Sequence, residues 1–160
     1  MQQLIDIIDE HNDLSKDLGI CRSFYLDQLR LLVDPPEIVA ILGLRRCGKS
    51  TIMQQLQLEL TKTRCLSADT RFINFEDPRL EGLNTGVKLL ELIEAYRKQQ
   101  SVPKRMYFFL DEIDRVEGWE KALNFFYEQK VDVKFFISGS NSEIFTGQLA
   151  TILSLSLIHI

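Results

Sequence analysis

The chain has 160 residues, 45% of them hydrophobic and 26% charged, with a formal net charge of −4 and an isoelectric point near 5.2. That apolar content supports one domain with a core and excludes a disordered chain, while the acidic balance gives no basic field of the kind a nucleic-acid binder carries. The three cysteines, Cys21, Cys47 and Cys65, have neither metal-ligand nor disulfide-framework spacing. The N-terminal stretch MQQLIDIIDEHNDL has no basic leader, and no apolar run reaches membrane-spanning length, so the chain reads as cytoplasmic with reduced thiols.

Leu4, Ile5, Ile8 and Leu14, then Phe24, Tyr25, Leu26, Leu29 and Leu32, recur at helical spacing on two segments that Asp34-Pro35-Pro36 ends. Residues 1–36 therefore read as a helical preface, with Tyr25 in the core rather than stacked on a base. Glu37-Ile38-Val39-Ala40-Ile41-Leu42 is a continuous, largely β-branched apolar run, the pattern of a strand buried on both faces. It leads into Gly43-Leu44-Arg45-Arg46-Cys47-Gly48-Lys49-Ser50-Thr51, which fits G-x-x-x-x-G-K-[ST] at every specified position. Gly43 and Gly48 let the backbone turn tightly, so that successive N–H groups point inward at a triphosphate, and the helix opening at Lys49 adds its positive end. Lys49 is expected to reach the β- and γ-phosphates, Ser50 to take a Mg²⁺ position through its hydroxyl, and Thr51 to support the α-phosphate. Ile52, Met53, Leu56 and Leu60 form the apolar stripe of the helix that follows.

Arg71 to Phe75 reads as a second strand that runs into the polar corner Glu76-Asp77-Pro78-Arg79, and Val87 to Gln99 as a helix. Met106 to Leu110 is a third strand that delivers Asp111 and Glu112 at its carboxyl end, where open α/β sheets bind ligands. Asp111 can hold a Mg²⁺ shell, usually through water, and Glu112 can orient and deprotonate the water that attacks the γ-phosphate. Trp119 opens another helix as a packing anchor. Val133 to Ile137 is a fourth strand ending in Ser138-Gly139-Ser140-Asn141, where Ser138 and Asn141 are candidates to sense the γ-phosphate; capping the next helix explains Ser140 or Asn141 equally well. Strands separated by helical patterns indicate an α/β fold with a mostly parallel sheet. Asn74, the polar residue inside strand two, is expected either to hold Glu112 away from water through its amide until a partner docks or, equally, to face solvent as an edge-strand amide. Cys47, beside Lys49, is expected to lose reactivity when nucleotide binds.

The segments G-L-R-R-C-G-K-S-T, F-I-N-F-E-D-P-R, F-F-L-D-E-I-D-R-V-E-G-W-E and F-I-S-G-S-N-S, in that order, resemble the bacterial and archaeal predicted AAA-type ATPases. The resemblance implies a P-loop NTPase three-layer sandwich in which the fourth strand inserts between the phosphate-loop (Walker A) strand and the Asp-Glu (Walker B) strand. It implies Mg-ATP as ligand, with nucleotide contacts from Lys49, Ser50 and Thr51, metal on Asp111 and water on Glu112. Arg45 and Arg46 match the family's paired arginines, which brace the loop or respond to the γ-phosphate. Members generally carry a further C-terminal domain, often nuclease-like in fold, so a missing domain and an unidentified protein partner are expected. The family continues with Gly-Arg after Ser154, whereas this chain ends in Leu155-Ser156-Leu157-Ile158-His159-Ile160. That hexapeptide looks like the translation of a transposon-end sequencing adapter. The expected organisation is therefore a truncated ATPase core over 37–154 and a non-native tail over 155–160; a real apolar fifth strand is the other reading. Thr61-Lys62-Thr63-Arg64 fails the N/T-K-x-D pattern of a GTPase. An ATP hydrolase is favoured, with a slow regulatory switch and a P-loop kinase as the alternatives.

Overall fold

A computed structural model describes residues 2–15, 17–99, 104–140 and 155–160. Five strands, β1 (Ile38–Leu42), β2 (Thr70–Asn74), β3 (Met106–Asp111), β4 (Val133–Ser138) and β5 (Leu155–His159), form one sheet in the order β2-β3-β4-β1-β5. Every pairing is parallel, and β4 lies between β1 and β3, as the resemblance implies. Among the described residues five α-helices accompany the strands: α1 (Gln2–His11), α2 (Ser23–Leu31), α3 (Lys49–Thr63), α4 (Gly86–Lys98) and α5 (Trp119–Glu128).

β1 and β3 read as unbroken apolar runs because both faces of the sheet are covered. Ile38, Ala40 and Leu42 of β1, Phe108 and Leu110 of β3, and Phe135 and Ile137 of β4 pack into one layer with α1, α4 and α5. Their neighbours Val39, Ile41, Phe109 and Phe136 face the other way, into a second layer with α2 and α3. There the rings of Phe109 and Phe136 stack with centroids 5.0 Å apart. Each such buried ring contributes about 1.5–3 kcal/mol relative to exposure. The two preface helices divide between the layers: Ile7 and Ile8 of α1 join the first, Leu26 and Leu29 of α2 the second. Arg30 of α2 forks onto Glu59 of α3 with two bonds of 2.7 Å, which fixes that pair of helices.

The end of α1 closes the outer edge of β2. Asn12 acts as a one-residue strand, donating its amide to the Phe72 carbonyl at 3.0 Å and accepting the Phe72 N–H at 2.7 Å. His11 Nδ1 accepts the Asn74 N–H at 3.3 Å. An edge paired in this way no longer presents free donors and acceptors to another chain. At the opposite edge, residues 155–160, which the sequence reading leaves outside the fold, pair with β1 from Ile38↔Leu155 to Leu42↔His159. The hexapeptide satisfies the β1 backbone and places Ile158 in the second layer.

One buried polar residue stands out from the apolar run of β4. Lys134 is fully buried, and its Nζ donates to the Pro35 carbonyl at 2.7 Å and to that of Glu37. Arg105 donates to the Asp34 carbonyl at 2.9 Å from the same end of the sheet. Together the two cations clamp the Asp34-Pro35-Pro36 link between α2 and β1. Burial, reinforced by the nearby Arg105 charge, lowers the Lys134 pKa from 10.5 to about 8. Between those values the unfolded chain holds the extra proton, so the penalty is full below the lower one and stability rises with pH across the window. Replacing Lys134 with Met is expected to flatten the rise in denaturation midpoint between about pH 8 and pH 10.5 relative to wild type. Equal slopes in the two proteins would contradict the clamp's titration.

Candidate nucleotide site

β1 ends at Leu42, and the loop that follows turns into α3 within six residues. Gly48, the residue before α3, has φ of 98°, a left-handed conformation that strains any residue with a Cβ. Gly43 is needed for space: a Cβ there would lie 2.5 Å from the Ile160 carbonyl oxygen and 2.8 Å from Cys47 Sγ. α3 thus begins with its free N–H groups and dipole at the loop. Lys49 folds back into it. Its Nζ donates to the carbonyls of Gly43 and Leu44, both at 3.3 Å, and lies 3.9 Å from Glu112 Oε1, with 4% of the residue exposed.

The two carboxylates come from the carboxyl end of β3, and Ser138 at the end of β4 links them. The Ser138 hydroxyl donates to Asp111 Oδ1 and accepts the Glu112 N–H at 3.1 Å. Glu112 itself is left-handed, with φ of 55°, as the chain breaks out of the strand. Burial raises the pKa of Asp111, while bonds from the Ser138 and Ser50 hydroxyls and the Lys49 charge pull it down. Burial, then the neighbouring Asp114 charge, raises that of Glu112, again opposed by Lys49. Both groups are therefore held closer to protonation than ordinary carboxylates, which suits a proton acceptor and a site awaiting a cation.

The loop, Lys49, Ser50, Asp111 and Glu112 thus gather at one end of the sheet, as the sequence indicates. Ser50 and Asp111 supply two adjacent hard oxygen donors, a fit to Mg²⁺, which keeps waters and substrate oxygens in its shell. Among the described residues no cluster of three or more His, Cys, Asp or Glu forms a metal cage alone. Thr51 lies half-buried in the first turn of α3, and Cys47 is a half-buried free thiol. Arg45 and Arg46 are exposed; Arg45 reaches Glu76 Oε1 at 3.1 Å, an oxygen it shares with Arg115 at 3.2 Å. Tyr25 and Trp119 pack in the core layers, as expected.

Two side chains are engaged otherwise than the sequence suggests. The hydroxyl proton of Ser138 is committed to Asp111, so in this arrangement the residue aligns the carboxylates instead of offering a donor to phosphate. Asn74 Oδ1 accepts the Glu76 N–H at 2.9 Å, a local turn, because the strand must bend at the polar corner. Asn74 meets Glu112's neighbour only through the backbone, opposite Asp111 in the β2–β3 register. Asn141 lies outside the described residues. Arg22, which also borders the loop, lies outside the motifs, and Glu76 lies inside the F-I-N-F-E-D-P-R segment without a role of its own there; an isolated charge before a helix or after a strand looks like any other surface residue.

A parallel sheet in which a glycine loop feeds a helix, with two carboxylates at the end of a strand two places away, is the P-loop NTPase fold. A chain of the structure of an E. coli MS115-1 HORMA:CdnC:Trip13 complex shares this fold, with a TM-score of 0.54 at 13% identity over 96% of this chain and 62% of that one. The family model described as AAA domain matches residues 35–157, and the chain belongs to that family. It is a nucleotide-binding AAA-type protein. An uncharacterized protein of Haemophilus influenzae is 34% identical over 135 residues, covering 84% of this chain and 33% of its own length. An uncharacterized protein of Methanocaldococcus jannaschii, MJ1544, is 32% identical over 117 residues, covering 73% and 24%. The chain thus spans a third or less of these curated relatives. Among the described residues no helix is long and apolar enough to cross a membrane.

Proposed function

We propose that the chain carries the ATP-hydrolysing site of a larger Mg²⁺-dependent AAA-type ATPase. The observation that carries this reading is the convergence of Lys49, Ser50, Asp111 and Glu112 at the start of α3. The loop N–H groups and the dipole of α3 bind the phosphates, and Lys49 exchanges its loop carbonyls for phosphate oxygens. Ser50 and Asp111 hold Mg²⁺, which when bound neutralises charge on the phosphates. Glu112, its pKa raised by burial, takes the proton of the attacking water. Ser138 keeps both carboxylates in register. Absence of the GTPase base-reading segment favours ATP over GTP, and a Mg²⁺-linked carboxylate beside a second, proton-accepting one suits water better than another acceptor.

A second reading rests on the same geometry. With Lys49 only 3.9 Å from Glu112, the base is held by an ion pair, a state suited to a switch that turns over slowly until a partner docks. The similar E. coli structure is a complex with HORMA and CdnC, and a protein partner and a further domain belong to this proposal. Phosphate release from ATP decides between the readings. Mg²⁺-dependent release by the protein alone supports the hydrolase, release only with a partner supports the switch, and release unaffected by chelation of Mg²⁺ would sink both. Cys47 gives an independent check, since its sulfur lies against Gly43 within the loop. Bound ATP is expected to slow Cys47 alkylation by about tenfold or more, as occupancy at tens of Kd would. Equal labelling with and without ATP, read by peptide mass spectrometry, would place the nucleotide elsewhere.

A further inference from the structure

The segment before α2 is tied to the nucleotide loop by contacts that the hydrolysis scheme leaves unused. Gln55 sits on α3 seven residues after Gly48, so the two share a helix face. It is 8% exposed, and its amide is wholly engaged: Nε2 donates to the Leu18 carbonyl at 3.1 Å and the Ile20 carbonyl at 2.9 Å, and Oε1 accepts the Arg22 N–H at 3.3 Å. One side chain thus fastens residues 18–22 along α3. At the end of that segment Arg22 Nη1 donates to the Cys47 carbonyl. Its guanidinium lies flat against Gly48, where a Cβ would meet Nη2, Cζ and Nη1 at 2.7, 2.8 and 2.9 Å. Glycine at 48 is therefore required twice, by its left-handed backbone and by the arginine beside it.

The consequence follows from the peptide bond. The Cys47 carbonyl and the Gly48 N–H belong to one trans, planar unit and point in opposite directions. An arginine that holds the carbonyl toward the strap turns the Gly48 N–H away from it. Arg22 is exposed, so hydrophobic burial does not account for its position; its charged fork on a loop carbonyl does.

We propose that residues 18–22 are a strap of the nucleotide site, closed by Gln55, and that Arg22 is a positioning residue that sets the orientation of the Cys47–Gly48 peptide for phosphate binding. This rests on the nucleotide-binding reading of the loop. Strap closure and nucleotide occupancy then favour each other by the same factor, since coupling between two equilibria is reciprocal. Whatever pulls α1 or α2 away from the sheet lowers nucleotide affinity without touching the loop.

The test is an equilibrium titration of ATP with Mg²⁺, with hydrogen exchange of residues 18–26 read with and without ATP, on wild type, Arg22→Ala, Arg22→Lys, Gln55→Leu and Lys49→Ala. Arg22→Ala is expected to weaken ATP binding roughly tenfold, the worth of one charge-assisted hydrogen bond, and Arg22→Lys to recover part of it. Gln55→Leu, which touches no loop atom, is expected to weaken binding and to abolish the ATP-dependent protection of residues 18–22. If Arg22→Ala and Gln55→Leu bind ATP like wild type while Lys49→Ala does not, the strap proposal falls and the nucleotide reading stands. A lower denaturation midpoint without nucleotide, with unchanged ATP affinity, would also overturn it by making Arg22 merely structural. Failure of wild type to bind ATP at all would remove the nucleotide reading and the proposal with it.

Discussion

Replacing Glu112 with Gln is expected to cut ATP hydrolysis by a factor of about 100 or more while leaving ATP binding at or above the wild-type level, because a general base contributes about 10²–10⁴-fold. The substitution keeps the shape of the side chain and removes only its ability to take a proton. Binding is preserved because Glu112 contributes no phosphate ligand. Its carboxylate instead competes for Lys49, 3.9 Å away, so that the neutral amide releases the lysine for the nucleotide. The surroundings agree with such a role: burial and the Asp114 charge raise the pKa of Glu112, so its proton affinity is greater than that of an exposed glutamate. Phosphate release and ATP titration on the same preparation separate the two effects. Hydrolysis within about twofold of wild type would assign the proton transfer to another group.

Replacing Lys49 with Ala is expected to do the opposite and weaken ATP binding by about 100-fold or more, since a buried charge-assisted contact to phosphate contributes more than an exposed one. Lys49 is almost fully buried, and the loop carbonyls of Gly43 and Leu44 that it now occupies hold it beside the start of α3. Its removal also strips Glu112 of its nearest countercharge, which raises that carboxylate's pKa further. Arg45 offers the contrast. It is exposed and bonded to Glu76, so Arg45→Ala is a control expected to change ATP affinity far less. Affinity unchanged in Lys49→Ala would mean that the loop is not the phosphate site.

The parts of the fold legible in the sequence are those dictated by burial on two faces. β1 and β3 read as unbroken apolar runs, and β4 as one interrupted only by Lys134, because layers of helices cover both sides, and the Asp111-Glu112 pair stands out because charges follow such a run abruptly. The loop is legible because a backbone that cradles phosphate restricts residue types at Gly43, Gly48 and Lys49. What escapes depends on long-range pairing. Lys134 sits inside an apolar run and finds its acceptors nearly a hundred residues earlier, at Pro35 and Glu37. Asn12 supplies a strand-like pair to Phe72 from the end of a helix, which no periodicity encodes. The Ser138 hydroxyl looked free at a strand end and proves to be committed across the sheet to Asp111. The division of the two preface helices between opposite layers is likewise set by where the chain crosses the sheet.

The most direct measurement is the crystal structure of the Glu112→Gln chain grown with ATP and Mg²⁺. The account predicts a triphosphate along residues 43–51, Lys49 moved from its loop carbonyls to phosphate, and a metal ion on Ser50 that Asp111 holds directly or through one water. A nucleotide bound away from the loop, or a metal ion that contacts neither Ser50 nor Asp111, would contradict it.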